Sequence, residues 1–192
     1  MKKSESLPSG MALRAVLLLE RLARLVRAGD HAGGLAPAQW EAIRYLARAN
    51  RFSRTPAALA DYLRATRGTV SQTLIALEDK ELVRKTGSSR DRRSVELSLT
   101  PGGVALLEHD ALKDLARDID ASGEADGLAQ GLEAALHQAL VRRGGRAFGV
   151  CGTCRYFRPG GRGDKAGKPH HCTLLGEPLS DADASLVCFE HT

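Results

Sequence analysis

Two helix-start signals stand close together in the middle of the chain, and the hydrophobic period changes just after the second. Thr55 followed by Pro56 has the form of an N-cap and first helical residue, leading into Leu59, Ala60 and Leu63, a short helix that closes near Ala65. Thr66 caps another helix, in which Val70, Leu74 and Leu77 fall on one face while Arg67, Thr69, Ser71 and Gln72 point elsewhere. Beyond Leu82 the period drops to two. Val95, Leu97 and Leu99 alternate with Ser94, Glu96 and Ser98, a strand whose antiparallel partner is Leu82 to Thr86. A short helix, a tight turn, a second helix and a hairpin together predict a winged helix-turn-helix. The hairpin carries Arg84, Lys85, Arg90, Arg92 and Arg93, and its tip from Gly87 to Arg93 is polar.

Helices flank this unit. Met11 to about Arg27 carries Leu17, Leu18, Leu19, Leu22, Leu25 and Val26 on a wide apolar face. Pro37 opens a second helix with Trp40, Ile43, Leu46 and Ala47, ending near Asn50. Trp40 and Val70, apolar at helical spacing, are assigned to packing. Thr100 and Pro101 start another helix with Val104, Leu107, Leu112, Leu115 and Ile119 along one side, interrupted at Ala121 to Gly123. A last helix bears a leucine stripe at 128, 132, 136 and 140. The fold class expected is mainly α (α+β), a winged helix with flanking helices and a small Cys-rich tail. Its divisions are 1–34, 35–100, 101–143 and 144–192.

Charge divides along the same lines. The net charge of +5 resolves into +8 over residues 1–100, −4 over 101–143 and +1 over the remainder. A basic front half suits a polyanion, and with a winged helix that polyanion is double-stranded DNA, bound in a salt-dependent way. Arg67 can approach guanine and Gln72 can read adenine. No Ser/His/Asp arrangement, phosphate-binding glycine loop or carboxylate pair argues for catalysis, so the chain is expected not to be an enzyme. No run approaches the ~18 apolar residues of a membrane span. The stretch from Met11 is broken by Arg14, Glu20 and Arg21, unlike the core of a signal peptide, and a cytoplasmic protein is expected.

All four cysteines lie in the tail: Cys151 and Cys154 as C-x2-C, then Cys172 and Cys188 after seventeen and fifteen intervening residues. A segment rich in Gly, Pro and charge cannot build much apolar core, so something else must fix its fold. In the reducing cytosol a metal site is favoured over disulfides. Zinc would take the four thiolates, or His191 in place of Cys172. A 4Fe-4S cluster would take all four thiolates. Phe148, Tyr156, Phe157 and Phe189 are expected to wall the cluster from water.

Residues 36–103 resemble the MarR family of regulators. Leu35, Pro37, Gln39 and Trp40 are similar to that family's second helix, and Leu59, Ala60 and Leu63 to its third. Arg67 to Ser71 are similar to the start of its recognition helix, and Leu77, Glu78, Lys80, Leu82, Val83 and Arg84 to the junction that follows. Asp91, Arg92, Arg93, Leu99, Thr100 and Gly103 resemble the family's wing and next helix, while Glu81 stands where a glycine is common. The resemblance implies a homodimer built from the first and last helices, a pseudo-palindromic operator, repression, and release by a small-molecule effector, an oxidant or a metal. The residues assigned to DNA are Thr66, Arg67, Gly68, Thr69, Ser71 and Gln72 on the helix and Arg84, Arg90, Asp91, Arg92 and Arg93 on the wing. The tail is similar in spacing to high-potential iron proteins, with Tyr156 and Phe157 after its C-x2-C, but lacks the tryptophan beside the last cysteine. That likeness implies an alternative, a redox or electron-transfer module with an iron–sulfur cluster and a winged helix used for docking.

Overall fold

The computed structural model describes residues 9–30, 34–87, 94–160 and 167–192. Among the described residues the body comprises α1 (Gly10–Asp30), α2 (Pro37–Arg48), α3 (Pro56–Leu63), α4 (Arg67–Asp79), β1 (Val83–Gly87), β2 (Val95–Leu99), α5 (Pro101–Leu106), α6 (Ala111–Ser122) and α7 (Ala125–Arg143). A tail follows, with β3 (Phe157–Arg158), β4 (His170–Cys172), β5 (Glu177–Leu179) and α8 (Asp181–Ser185). The architecture is mainly helical with two small antiparallel sheets, a winged helix as expected.

Helix starts are set by local chemistry. Thr55 Oγ1 accepts from the Ala58 N–H at 3.2 Å, Thr66 Oγ1 from Thr69 at 3.1 Å and Thr100 Oγ1 from Gly103 at 3.1 Å. Each such cap contributes about 1 kcal/mol. The wing strands pair from Val83 with Leu99 to Gly87 with Val95. This register turns Val83 and Leu97 into a core shared with Trp40, Ile43, Leu59 and Leu77. Gly103 lies so close to the wing that a Cβ there would sit 2.2 Å from the Leu82 carbonyl oxygen.

The helix expected from Pro101 through Ile119 is broken. α5 ends at Leu106, one 3-10 turn covers Leu107–His109, and Asp110, in extended backbone, begins α6. The cause is Asp110 itself, whose Oδ1 caps the Leu112 N–H at 2.9 Å while both its oxygens accept from Arg44 Nε at 3.0 Å. Arg44 Nη1 also donates to Asp30 Oδ2 at 3.0 Å. Asp30, Arg44 and Asp110 are 2%, 8% and 8% exposed, a buried ion triad joining the end of α1, the middle of α2 and the start of α6. Burial pushes the Asp110 carboxyl up, but hydrogen bonds from Arg44 and the Leu112 N–H, with the Arg44 charge, outweigh it and hold the group below the usual carboxylate range.

The outer helices bury little of their apolar surface. α1 buries only Val26 and Asp30, and α7 buries no residue, leaving Met11, Leu17, Leu25, Leu136 and Val141 more than half exposed.

The tail, which the sequence leads one to expect as a separate small unit, is bonded to the helix-turn-helix. Val187 accepts from the Asn50 N–H at 2.9 Å and donates to the Arg48 carbonyl at 2.7 Å, and the Phe189 N–H donates to Ser53 Oγ at 2.7 Å. Arg51 donates to the Pro178 carbonyl at 2.6 Å and lies 3.3 Å from Asp183. Phe148 packs edge-on against Tyr62, with ring centroids 5.1 Å apart, and Phe189 meets Phe148 edge-to-face at 5.7 Å. These two rings were expected around the cysteines, yet they extend the winged-helix core instead.

Arg44→Met leaves two buried carboxylates without their cation and is expected to cost about 3–5 kcal/mol. Asp110→Asn keeps a capping oxygen and leaves Arg44 paired with Asp30, so it should cost less. Because the folded Asp110 carboxyl is depressed, its stabilisation is present above the unfolded value of about 4 and is lost as pH falls through the lower folded value. Urea midpoints for the two variants and the wild type, at neutral and acidic pH, measure all three effects.

Candidate nucleic-acid interface

The recognition-helix residues named from sequence stand together on the open face of α4. Thr66, Arg67, Gly68, Thr69, Ser71 and Gln72 are exposed, while Val70, Leu74 and Leu77 are buried behind them. The helix start points into the open, where its free N–H groups and partial positive charge favour phosphate. Two of these residues also do structural work, since Thr66 Oγ1 caps the helix and lies 2.9 Å from Thr69 Oγ1.

Arg84 on β1 is exposed. Arg90, Asp91, Arg92 and Arg93 lie outside the described residues. Lys85, counted among the basic wing residues, is committed elsewhere: its Nζ bonds Glu78 Oε2 at 2.9 Å, and this lysine holds the Glu78 carboxyl below the usual carboxylate range. The pair ties β1 to the last turn of α4. A groove of about 550 Å³ runs between helix and wing, with Arg67 and Ser71 on one side, Lys85, Ser94 and Val95 on the other, and Thr55 and Pro56 at its end. The start of α3 is thus part of this surface, which the sequence did not reveal because Thr55 and Pro56 read only as a helix start.

Glu81 turns the chain from α4 into the wing with φ +57°, the left-handed conformation that explains why glycine suits this position. Its carbonyl accepts from Thr100 Oγ1 at 2.6 Å, so the strained turn also anchors the return strand.

The four cysteines come from three backbone segments. Cys151 and Cys154 flank a 3-10 turn, with the Cys154 N–H donating to the Cys151 carbonyl at 2.9 Å. Cys172 ends β4 opposite Phe157 of β3, and the Cys188 N–H donates to the Gly149 carbonyl at 2.8 Å. Cys151 and Cys188 are buried, Cys154 and Cys172 half-buried, and all four are free thiols. Burial, and then the proximity of Cys188, Cys154, Cys172 and Asp183, pushes the Cys151 thiol up to about 11. The donor set is that of a soft metal, although no three His, Cys, Asp or Glu side chains among the described residues are gathered in an arrangement that could hold an ion. The ring of His191 lies over Gly149, where a Cβ would approach within 2.7 Å. Its Nε2 is 2.9 Å from Thr153 Oγ1, and its Nδ1 is buried without a hydrogen-bond partner.

Residues 33–94 match the model of the MarR family. That match covers the winged-helix segment, from the turn before α2 to the start of β2. Among solved structures, the transcriptional regulator PA4135 is 24% identical over 69% of this chain and 97% of its own, with a TM-score of 0.53. A MepR–DNA complex from S. aureus is 21% identical over 71% of this chain and 99% of its own, with a TM-score of 0.52. Both share the fold. No curated protein matches the sequence.

Glu81→Gly removes a left-handed non-glycine residue and should raise stability by about 1 kcal/mol, less whatever the more flexible unfolded chain takes back. An unchanged or lower melting temperature would show that this turn is unstrained.

Proposed function

We propose that the chain is a DNA-binding transcriptional regulator, a repressor that binds a pseudo-palindromic operator as a homodimer, and not an enzyme. The observation that carries this reading is the open polar face of α4 from Thr66 to Gln72, bordered by a groove between that helix and the wing. Phosphate contacts from Arg67, Arg84 and the wing arginines fix the register, and α4 side chains read base edges in the major groove. The likeness to a MepR structure solved with DNA supports the same docking.

Dimerisation follows from the exposed leucines of α1 and α7. Exposed large apolar side chains clustered on two outer helices mark an interface, and a helix that buries nothing in its own chain gains its packing from a partner. An apolar cavity of about 330 Å³ between these helices and α2, lined by Leu22, Val26, Arg44, Leu115 and Leu128, is where a small effector would alter the angle between dimer and DNA-binding units. The tail carries a thiolate metal centre in this reading, zinc or a 4Fe-4S cluster. No helix among the described residues is long and apolar enough to cross a membrane, and the reading places the protein in the cytoplasm with the DNA.

Selection of duplexes from a random pool should recover an inverted repeat with half-sites about 10 bp apart. Affinity for it should fall steeply with salt, and Arg67→Ala should cost about 1–3 kcal/mol of binding. Sedimentation should give a dimer of the 20.6 kDa chain, and Leu17→Glu with Leu136→Glu should yield monomers that bind the repeat poorly. A pool with no enriched sequence would refute the DNA reading.

A further inference from the structure

Cys188 occupies an unusual position. The residues on either side of it, Val187 and Phe189, make the backbone bonds that attach the tail to Arg48, Asn50 and Ser53, and its own backbone is paired with Gly149, two residues before Cys151. Any force on the Cys188 side chain therefore acts at the point where the tail meets the helix-turn-helix.

The receiving segment is itself tightly bonded. Asn50 and Ser53 are fully buried, and Asn50 Oδ1 accepts from Ser53 Oγ at 2.8 Å and from the Phe52 N–H at 3.2 Å. Tyr45 donates its hydroxyl proton to the Ser53 carbonyl at 2.7 Å. The next carbonyl, that of Arg54, accepts from the Leu97 N–H of the wing at 2.7 Å, and Thr55 then caps α3. The Arg48–Thr55 segment thus connects Cys188 to the start of α3, the wing and one end of the groove beside α4.

The tail has little else to hold it. Among its described residues the buried apolar side chains are Cys151, Leu179 and Cys188, so two of the three are thiols. A segment with one buried aliphatic residue cannot sustain its own fold by hydrophobic burial, and its four thiols are the donor set available for a staple.

We propose that Cys151, Cys154, Cys172 and Cys188 bind one thiolate-ligated metal centre, a zinc ion or an iron–sulfur cluster, and that this centre controls DNA binding by holding Cys188 and with it the Arg48–Thr55 segment. The thiols are not drawn in to a common point, so binding closes them, and closure is felt at Val187 and Phe189 and so at Asn50 and Ser53. The route runs to the helix-turn-helix itself, whereas the sequence suggested a tail acting on the dimer helices. The regulatory half of this inference rests on the DNA-binding reading.

The test uses the full chain purified without oxygen. Elemental analysis should find about one zinc per chain, or about four irons with labile sulfide and a brown colour, and the two results tell the centres apart. Cys172→Ser should lower that content. Stripping the metal with a chelator should speed amide exchange in residues 48–55 and weaken binding to the selected duplex by about 5- to 150-fold, with recovery on reloading. Ser53→Ala keeps every thiol but cuts the Phe189 bond; it should bind metal fully and lose the metal dependence of DNA affinity. Absence of metal after reconstitution with zinc and with iron and sulfide overturns the site. Metal bound with unchanged exchange in residues 48–55 overturns the coupling. If the loaded protein binds no duplex, the DNA-binding reading fails while metal content and amide exchange still decide the site and its connection.

Discussion

One arginine holds the two halves of the body in register. Arg44 is on α2, inside the winged helix, and its carboxylate partners come from the last residue of α1 and the N-cap of α6. Two carboxylates around one guanidinium leave a buried excess of negative charge, which a protein interior tolerates only when hydrogen bonds saturate the group. Here the guanidinium is forked between them, Asp110 accepts an additional N–H from Leu112, and the guanidinium carbon lies 5.1 Å from the Trp40 ring. A forked ion pair adds to hydrophobic packing a directional constraint on the angle between the elements it joins. The triad therefore converts a general helix–helix contact into a defined angle between the winged helix and the outer helices α1 and α6.

What the sequence made legible was local. Thr55, Thr66 and Thr100 act as caps because an N-cap and the N–H it receives are three residues apart, and the wing register follows from an alternation visible within five residues. Val70, Leu74 and Leu77 face inward because helical spacing alone determines the face. Even the strain at Glu81 was foreshadowed by its resemblance to a glycine position, and φ +57° supplies the reason.

What stayed hidden depends on partners far along the chain. Asp110 reads as one more acid on an acidic helix, and only Arg44, 66 residues away, explains why the helix breaks there. Asp30 reads as loop punctuation, yet it is 2% exposed and ion-paired. Lys85 reads as a wing charge but neutralises Glu78. The cysteine spacing identified a donor set without saying where it would dock, because the docking bonds use backbone groups of Val187 and Phe189, whose side-chain identity carries no trace of them.

These long-range contacts converge on α2. Midway along it Arg44 receives the outer helices, and at its C-terminal end Arg48, Ala49 and Asn50 receive the tail. The first contact is ionic and depends on the arrangement of α1 and α6, so a ligand or partner bound among those helices acts there. The second is a backbone pairing whose strength depends on what holds Cys188. The two attachments lie about one helical turn apart on an element that carries Trp40, Ile43 and Leu46 into the core beneath α4. A core packed to crystalline density transmits a small displacement of α2 to α4 and does not absorb it. Displacements at the Arg44 triad and at the Val187 attachment, one ionic and one a backbone pairing, therefore both reach α4 through α2, and their effects on that helix should be coupled.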